Sequence, residues 1–200
     1  MAGFSLWRAG SFPETARVGG KDAPVRADFR TALKILALHG DPDAPRRLKT
    51  KLALEWFYPE PPGNAGEALA ALDAHLAGGR EECKDPVAEA LRARRAESAG
   101  PPEMCFEHDA AEIWASFLQQ YGIDLLEPPP MHWRKFLALL GCLGPDTPLA
   151  RRVQARTADL KGLRGRDLAR AMKAKEDARI PERLSAEEAR ERREFLESLM

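Results

Sequence analysis

Residues 106–143 read FEHDAAEIWASFLQQYGIDLLEPPPMHWRKFLALLGCL, and this stretch decides the fold. Before Gly122, the residues Ile113, Trp114, Phe117, Leu118 and Tyr121 recur three and four apart, which sets a largely aromatic stripe on one face of a helix. Gly122 stands where a left-handed residue closes such a helix. Pro128, Pro129 and Pro130 then stop any helix from running on, because proline lacks the N–H that the preceding turn would receive. A second helical period follows in Trp133, Phe136, Leu137, Leu140 and Leu143. The stretch predicts a helical hairpin with an aromatic seam in which Trp114, Phe117, Trp133 and Phe136 pack inward.

Upstream, residues 1–11 have no strong period and are expected to fray. In TARVGGKDAPVR, Val18 and Val25 flank Gly19-Gly20, and two glycines accept the positive φ of a tight hairpin turn. A β-hairpin within residues 12–27 is expected, resting on helices because alone it would be marginal. Asp28 is placed to cap a helix carrying Phe29, Leu33, Leu36 and Leu38, closed by Gly40 and Pro42. A second helix over 45–57 sets Leu48, Leu52 and Trp56 four apart, and Tyr58-Pro59-Glu60-Pro61-Pro62 breaks it. Asn64 caps a third, with Leu69, Leu72 and Leu76 inward and Gly78-Gly79 at its exit. Residues 80–104 are charged, alanine-rich and poor in large side chains, so they read as a mobile linker with a transient helix.

Downstream, Thr147-Pro148 is an N-cap followed by proline in the first turn, opening a short helix through Val153. Residues 160–178 alternate Arg and Lys with Leu163, Leu168 and Met172, which predicts a largely exposed helix in the second half. Ser185 and Glu188 form a capping box for a last helix of Glu and Arg that ends in Phe195, Leu196 and Leu199. That helix either projects or lays its apolar end on another subunit. The expected fold is therefore mainly α: a multi-helix bundle with a small N-terminal β-hairpin and an extended charged C-terminal helix. One helical domain spans 1–180 and a tail 181–200. Its core is expected from Phe29, Leu33, Trp56, Ile113, Trp114, Phe117, Tyr121, Trp133, Phe136, Leu137 and Leu140.

A chain of 200 residues, 44% hydrophobic and 31% charged, can bury one ordinary core, and it holds no apolar run long enough to span a membrane. No basic start followed by an apolar segment marks a signal peptide, so a cytoplasmic protein is expected. Three cysteines, Cys83, Cys105 and Cys142, argue for reduced thiols rather than a disulfide framework. The zero net charge is unevenly spread. Residues 81–127 hold 11 acidic against 4 basic side chains, and residues 151–183 hold 11 basic against 5 acidic. Within the basic region Arg151, Arg152, Arg156, Arg164, Arg166 and Arg170 are the candidate partner-binding residues. They support an alternative reading as a DNA-binding protein, although no aromatic lies among them for base stacking.

No phosphate-binding loop, dinucleotide fingerprint or metalloprotease motif is present, and no catalytic or cofactor-binding residue is assigned. Cys105 and His108 with Cys83 could contribute to a zinc site, but the second close ligand pair of structural zinc is missing, so no metal is expected. His108, Asp109 and Glu112 share one helical turn and could suggest acid–base work by a hydrolase. Acidic groups are also common at helix starts, where they face the positive end of the macrodipole, and that reading is preferred.

Several ordered blocks resemble the bacteriophage gene-product-fifteen family. They are Pro13-Glu14-Thr15, Val18-Gly19-Gly20-Lys21, Pro24-Val25, Asp28-Phe29-Arg30, the run from Asp109 to Leu125, and His132-Trp133-Arg134-Lys135-Phe136-Leu137-Ala138-Leu139-Leu140. The similarity covers roughly residues 13–183, with residues 185–200 as an extension beyond it. The resemblance implies a tail assembly chaperone of long-tailed phages and prophages, without an active site. Such a protein acts in the host bacterial cytoplasm and is not expected in the mature virion. Its implied partners are the tape measure protein and the tail tube protein, with a second tail assembly chaperone and self-association as further expectations.

Overall fold

The computed structural model describes residues 12–78 and 103–181, together with Ala186, Glu187 and Arg190. The expected frayed start, the linker over 80–104 except its last two residues, and most of the 181–200 tail lie outside the described residues. Among the described residues the chain is mainly α-helical, with seven helices and one two-stranded antiparallel sheet. Where the sequence predicts a single helical domain over 1–180, the contacts gather into two compact units. Unit 1 comprises residues 1–79, 129–137 and 182–200, and unit 2 comprises residues 80–128 and 138–181.

Unit 1 opens with β1 (Thr15–Val18) and β2 (Lys21–Pro24), paired with Val18 opposite Lys21. Gly19 and Gly20, at φ 58° and 74°, make the two-residue turn, which a side chain would strain. Ala16 and Val18 face inward while Thr15 and Arg17 face out, the period of two that a half-buried strand needs. Asp28 caps α1 (Phe29–His39), accepting from Thr31 N at 2.9 Å and Thr31 Oγ1 at 2.7 Å. α2 (Arg46–Phe57) ends at extended Tyr58, and the Arg26 guanidinium caps its last turn by donating to the carbonyls of Glu55, Trp56 and Tyr58. Asn64 caps α3 (Ala65–Leu76), accepting from Glu67 N at 3.3 Å. Ala16, Val18, Ile35, Ala53, Leu54, Phe57, Tyr58, Ala68 and Leu72 form one buried cluster. The expected inner stripe of α2 is corrected here: Ala53, Leu54 and Phe57 are buried, whereas Leu48 is 44% exposed and Leu52 and Trp56 are half-buried. The side chain of Lys34 covers one face of Trp56, 3.9 Å from the ring centroid.

In unit 2, α4 (Ala110–Tyr121) closes on Gly122 at φ 64°, as its sequence predicts. Its buried residues are Ile113, Ser116 and Phe117. Thr147 caps α6 (Pro148–Thr157), which runs four residues beyond the expected end at Val153. α4 and α6 pack together, and the Ser116 hydroxyl accepts from Leu149 N at 3.0 Å. α7 (Gly165–Asp177) packs against α6 with none of its own residues fully buried.

α5 (Trp133–Gly141) corrects the predicted seam. Its residues up to Leu137 belong to unit 1 and those from Ala138 belong to unit 2. Just before it, Phe29 N donates to Met131 O at 2.9 Å and Trp133 N donates to Ala27 O at 2.7 Å, an antiparallel bridge centred on Asp28 and His132. This short backbone pairing sets Phe136 against Phe29, with stacked ring centroids 4.9 Å apart, and Trp133 against Phe136 at 5.6 Å. The Trp133 indole donates to Leu76 O at 3.0 Å. Phe117 belongs to unit 2, where its ring meets Tyr121 edge-on at 5.6 Å. The aromatics read as one seam thus belong to the cores of two units. Trp133→Ala is expected to lower the stability of unit 1 by about 3 to 5 kcal/mol, measured by urea unfolding, because a buried indole and its hydrogen bond are both lost.

His75 is buried on α3, in ring contact with Phe57 at 5.0 Å and His132 at 5.6 Å, and its Nε2 has no hydrogen-bond partner among the described residues. Burial first, then His132 and Arg134, push its pKa down from 6.5 to about 4, against the opposing pull of Asp28. The native state therefore binds fewer protons than the unfolded chain in this window. The stability is present above pH 6.5 and lost as pH falls toward 4. Between pH 7 and pH 5 unfolding is expected to become easier by about 2 kcal/mol, and His75→Leu should remove most of that dependence.

Candidate functional site

The most elaborated polar arrangement lies in unit 2. Asp109, at the N-terminus of α4, has no solvent exposure, and its side chain makes no cap hydrogen bond to the helix. Instead it receives Arg156 Nη2 at 2.7 Å and Arg156 Nη1 at 3.0 Å, a bidentate pair. It also accepts from Arg152 Nε at 3.1 Å and from Cys105 N at 2.8 Å. Burial works to raise the Asp109 pKa, but Arg156, the Cys105 N–H and Arg152 outweigh it and hold the carboxyl below its ordinary range.

Arg156 is 8% exposed and joins three segments. Besides Asp109, its Nε donates to Ala178 O, just past α7, at 2.6 Å, and its Nη1 donates to the Glu103 carbonyl. Arg152 is half-buried and also pairs with Glu112 at 3.0 Å. Two of the candidate partner-binding arginines are thereby corrected: Arg156 is enclosed, and Arg152 is held by two carboxylates. Arg151, Arg164, Arg166 and Arg170 are exposed. The last three lie with Lys173 on or beside α7, whose neighbourhood also exposes Met172 at 54% and Leu163 at 38%.

Sequence reasoning missed the Asp109 centre, having assigned Asp109 to the helix macrodipole. A signal was present in α6, where Leu149, Arg152, Val153 and Arg156 share the i, i+3, i+4, i+7 face that points inward. Two arginines on such a face require a buried anion. Of the other candidates, His108 is exposed, Glu112 is taken by Arg152, and Cys105 is half-buried; Cys83 lies outside the described residues. Among the described residues no group of three or more His, Cys, Asp or Glu is arranged to hold a metal. Of the expected core, Phe29, Ile113, Phe117, Trp133 and Phe136 are buried, whereas Leu33, Trp56, Trp114, Tyr121, Leu137 and Leu140 are half-buried. Trp114 instead gives its indole N–H to Asp124 at 2.9 Å, and Tyr121 gives its hydroxyl hydrogen to Leu139 O at 2.8 Å.

Fold and site together define a mainly α-helical protein whose polar centre is an internally satisfied ion-pair cluster, with an exposed basic helix beside it. No described helix is long and apolar enough to cross a membrane. The chain belongs to the Bacteriophage Gp15 protein family, whose model matches residues 11–179, and is thus a bacteriophage structural or assembly protein. No curated protein and no solved structure matches it.

Arg156→Met is expected to destabilise unit 2 by about 3 to 5 kcal/mol, since it strips a buried carboxylate of its bidentate partner. Asp109→Asn combined with Arg156→Met should recover part of that loss. A double-mutant cycle on urea unfolding measures the coupling.

Proposed function

We propose that this protein is a non-enzymatic tail assembly chaperone. It binds the tape measure protein, keeps it soluble and helps recruit tail tube subunits in the host cytoplasm, before leaving the finished virion. The observation that carries this reading is membership of the Bacteriophage Gp15 family over residues 11–179. A tape measure is a long, apolar helical protein that aggregates when unshielded, so its chaperone needs helical surfaces that tolerate many partner registers. The α7 surface has the required composition: Met172 and Leu163 supply adaptable apolar contact, and Arg164, Arg166 and Arg170 keep it hydrated when unoccupied.

The alternative of a DNA-binding protein working through residues 151–183 is weakened by the enclosure of Arg156 and the pairing of Arg152, which reduce the cations open to phosphates. Co-expression with the tape measure protein of the same phage is expected to raise the soluble fraction of that protein and to yield a complex that survives gel filtration. The absence of both a complex and a gain in solubility would overturn the proposal.

A further inference from the structure

In unit 1 the helix α5 opens on a histidine. The His132 carbonyl accepts from Phe136 N at 3.0 Å, and its ring Nδ1 accepts from Arg134 N at 3.0 Å. These are the two marks of an N-cap residue, here with an imidazole in the place that Asn64 fills for α3 and Thr147 for α6. The bond from Arg134 N also fixes the tautomer, because a nitrogen that accepts from a backbone N–H carries no proton of its own. The ring proton therefore sits on Nε2, which donates to Pro13 O at 3.2 Å. Phe12 stacks on the half-buried ring at 4.8 Å, and His75 meets it edge-on at 5.6 Å. Every face of the neutral imidazole is thus used.

A proton from solvent can be added only at Nδ1. There it turns the acceptor into a donor that faces the Arg134 N–H, and it sets a positive charge at the positive end of the helix dipole. The groups around the ring divide on this charge. Arg134 on α5 and His75 on α3 oppose it, Glu14 before β1 favours it, and Asp28, across the β-bridge, gives both carboxylate oxygens to Thr31. Burial first, and then Arg134, lower the His132 pKa from 6.5, against the Pro13 carbonyl and Glu14. The cap is accordingly intact above pH 6.5 and is lost as pH falls through the lowered value. The amide of Asn64 and the hydroxyl of Thr147 have no such response. We propose that His132 is an acid-opened helix cap: protonation at Nδ1 breaks its bond to the Arg134 N–H and frees the first turn of α5, which carries Trp133 and Phe136. The device stands independently of the chaperone reading.

The test follows the full chain by nitrogen-15 NMR of the His132 ring and by amide hydrogen exchange while the pH is lowered from neutral. At neutral pH the proton is expected on Nε2, with Nδ1 bare. As the ring titrates, exchange at the Arg134 amide, corrected for its intrinsic pH dependence, should rise about fivefold relative to the amides of α3, the change that loss of an ordinary cap implies. His132→Asn supplies a cap acceptor that does not titrate and should abolish the rise. A proton on Nδ1 at neutral pH, a ring that stays neutral until unit 1 unfolds, or exchange at Arg134 that ignores the titration would each overturn the proposal. The same rise in His132→Asn would overturn it as well.

Discussion

A carboxylate with no access to water sets the terms for unit 2. An ionised group can remain inside only if other charges and donors replace its hydration, and Asp109 finds both in Arg156, Arg152 and the Cys105 N–H. Arg156 needs acceptors in turn. It has more donors than one carboxylate can use, and the surplus goes to the carbonyls of Glu103 and Ala178. One guanidinium therefore fixes the start of α4, the last turn of α6 and the end of α7 relative to one another. The fit explains how α7 holds its place without a fully buried residue of its own. Its end is tied down by Ala178, and Lys175 adds a bond of 2.9 Å to Ala158 O.

Unit 1 is held by other means. Its buried cluster is apolar and aromatic, and the segment after the prolines is stitched to the segment before α1 by two short backbone hydrogen bonds. Those bonds deliver Phe136 to Phe29, with Trp133 stacked on Phe136. The buried His75, in contact with His132, makes the same unit sensitive to acid, while the carboxylate centre of unit 2 keeps its charge at lower pH.

Local signals were legible in the sequence because local groups satisfy them. The glycine turn of the hairpin, the caps at Asp28, Asn64 and Thr147, and the left-handed Gly122 all stand where their spacing put them. What periodicity could not decide was which partner each stripe would meet. The stripes of α4 and α5 look alike, and a one-residue β-bridge between two helix entrances assigns Phe136 to Phe29. In α2 the Leu48, Leu52 and Trp56 spacing suits burial as well as the Ala53, Leu54 and Phe57 set, and the choice depends on how the hairpin and α3 pack. The candidate site divided in the same way. Four arginines face solvent as their composition suggests, while Arg152 and Arg156 answer to a carboxylate more than 40 residues earlier.

The chain belongs to a bacteriophage family, and the buried charges of unit 2 are matched by one another. The Asp109 carboxylate is saturated by its own partners within the unit. The organisation of unit 2 rests on the internal pairing of Asp109 with Arg156. Its most direct test is the acid titration of the Asp109 side-chain carboxyl, followed by carbon-13 NMR on the folded protein. The carboxyl is predicted to stay ionised below the pH range where ordinary aspartates take up a proton. Titration within that ordinary range, with the fold intact, would contradict the pairing.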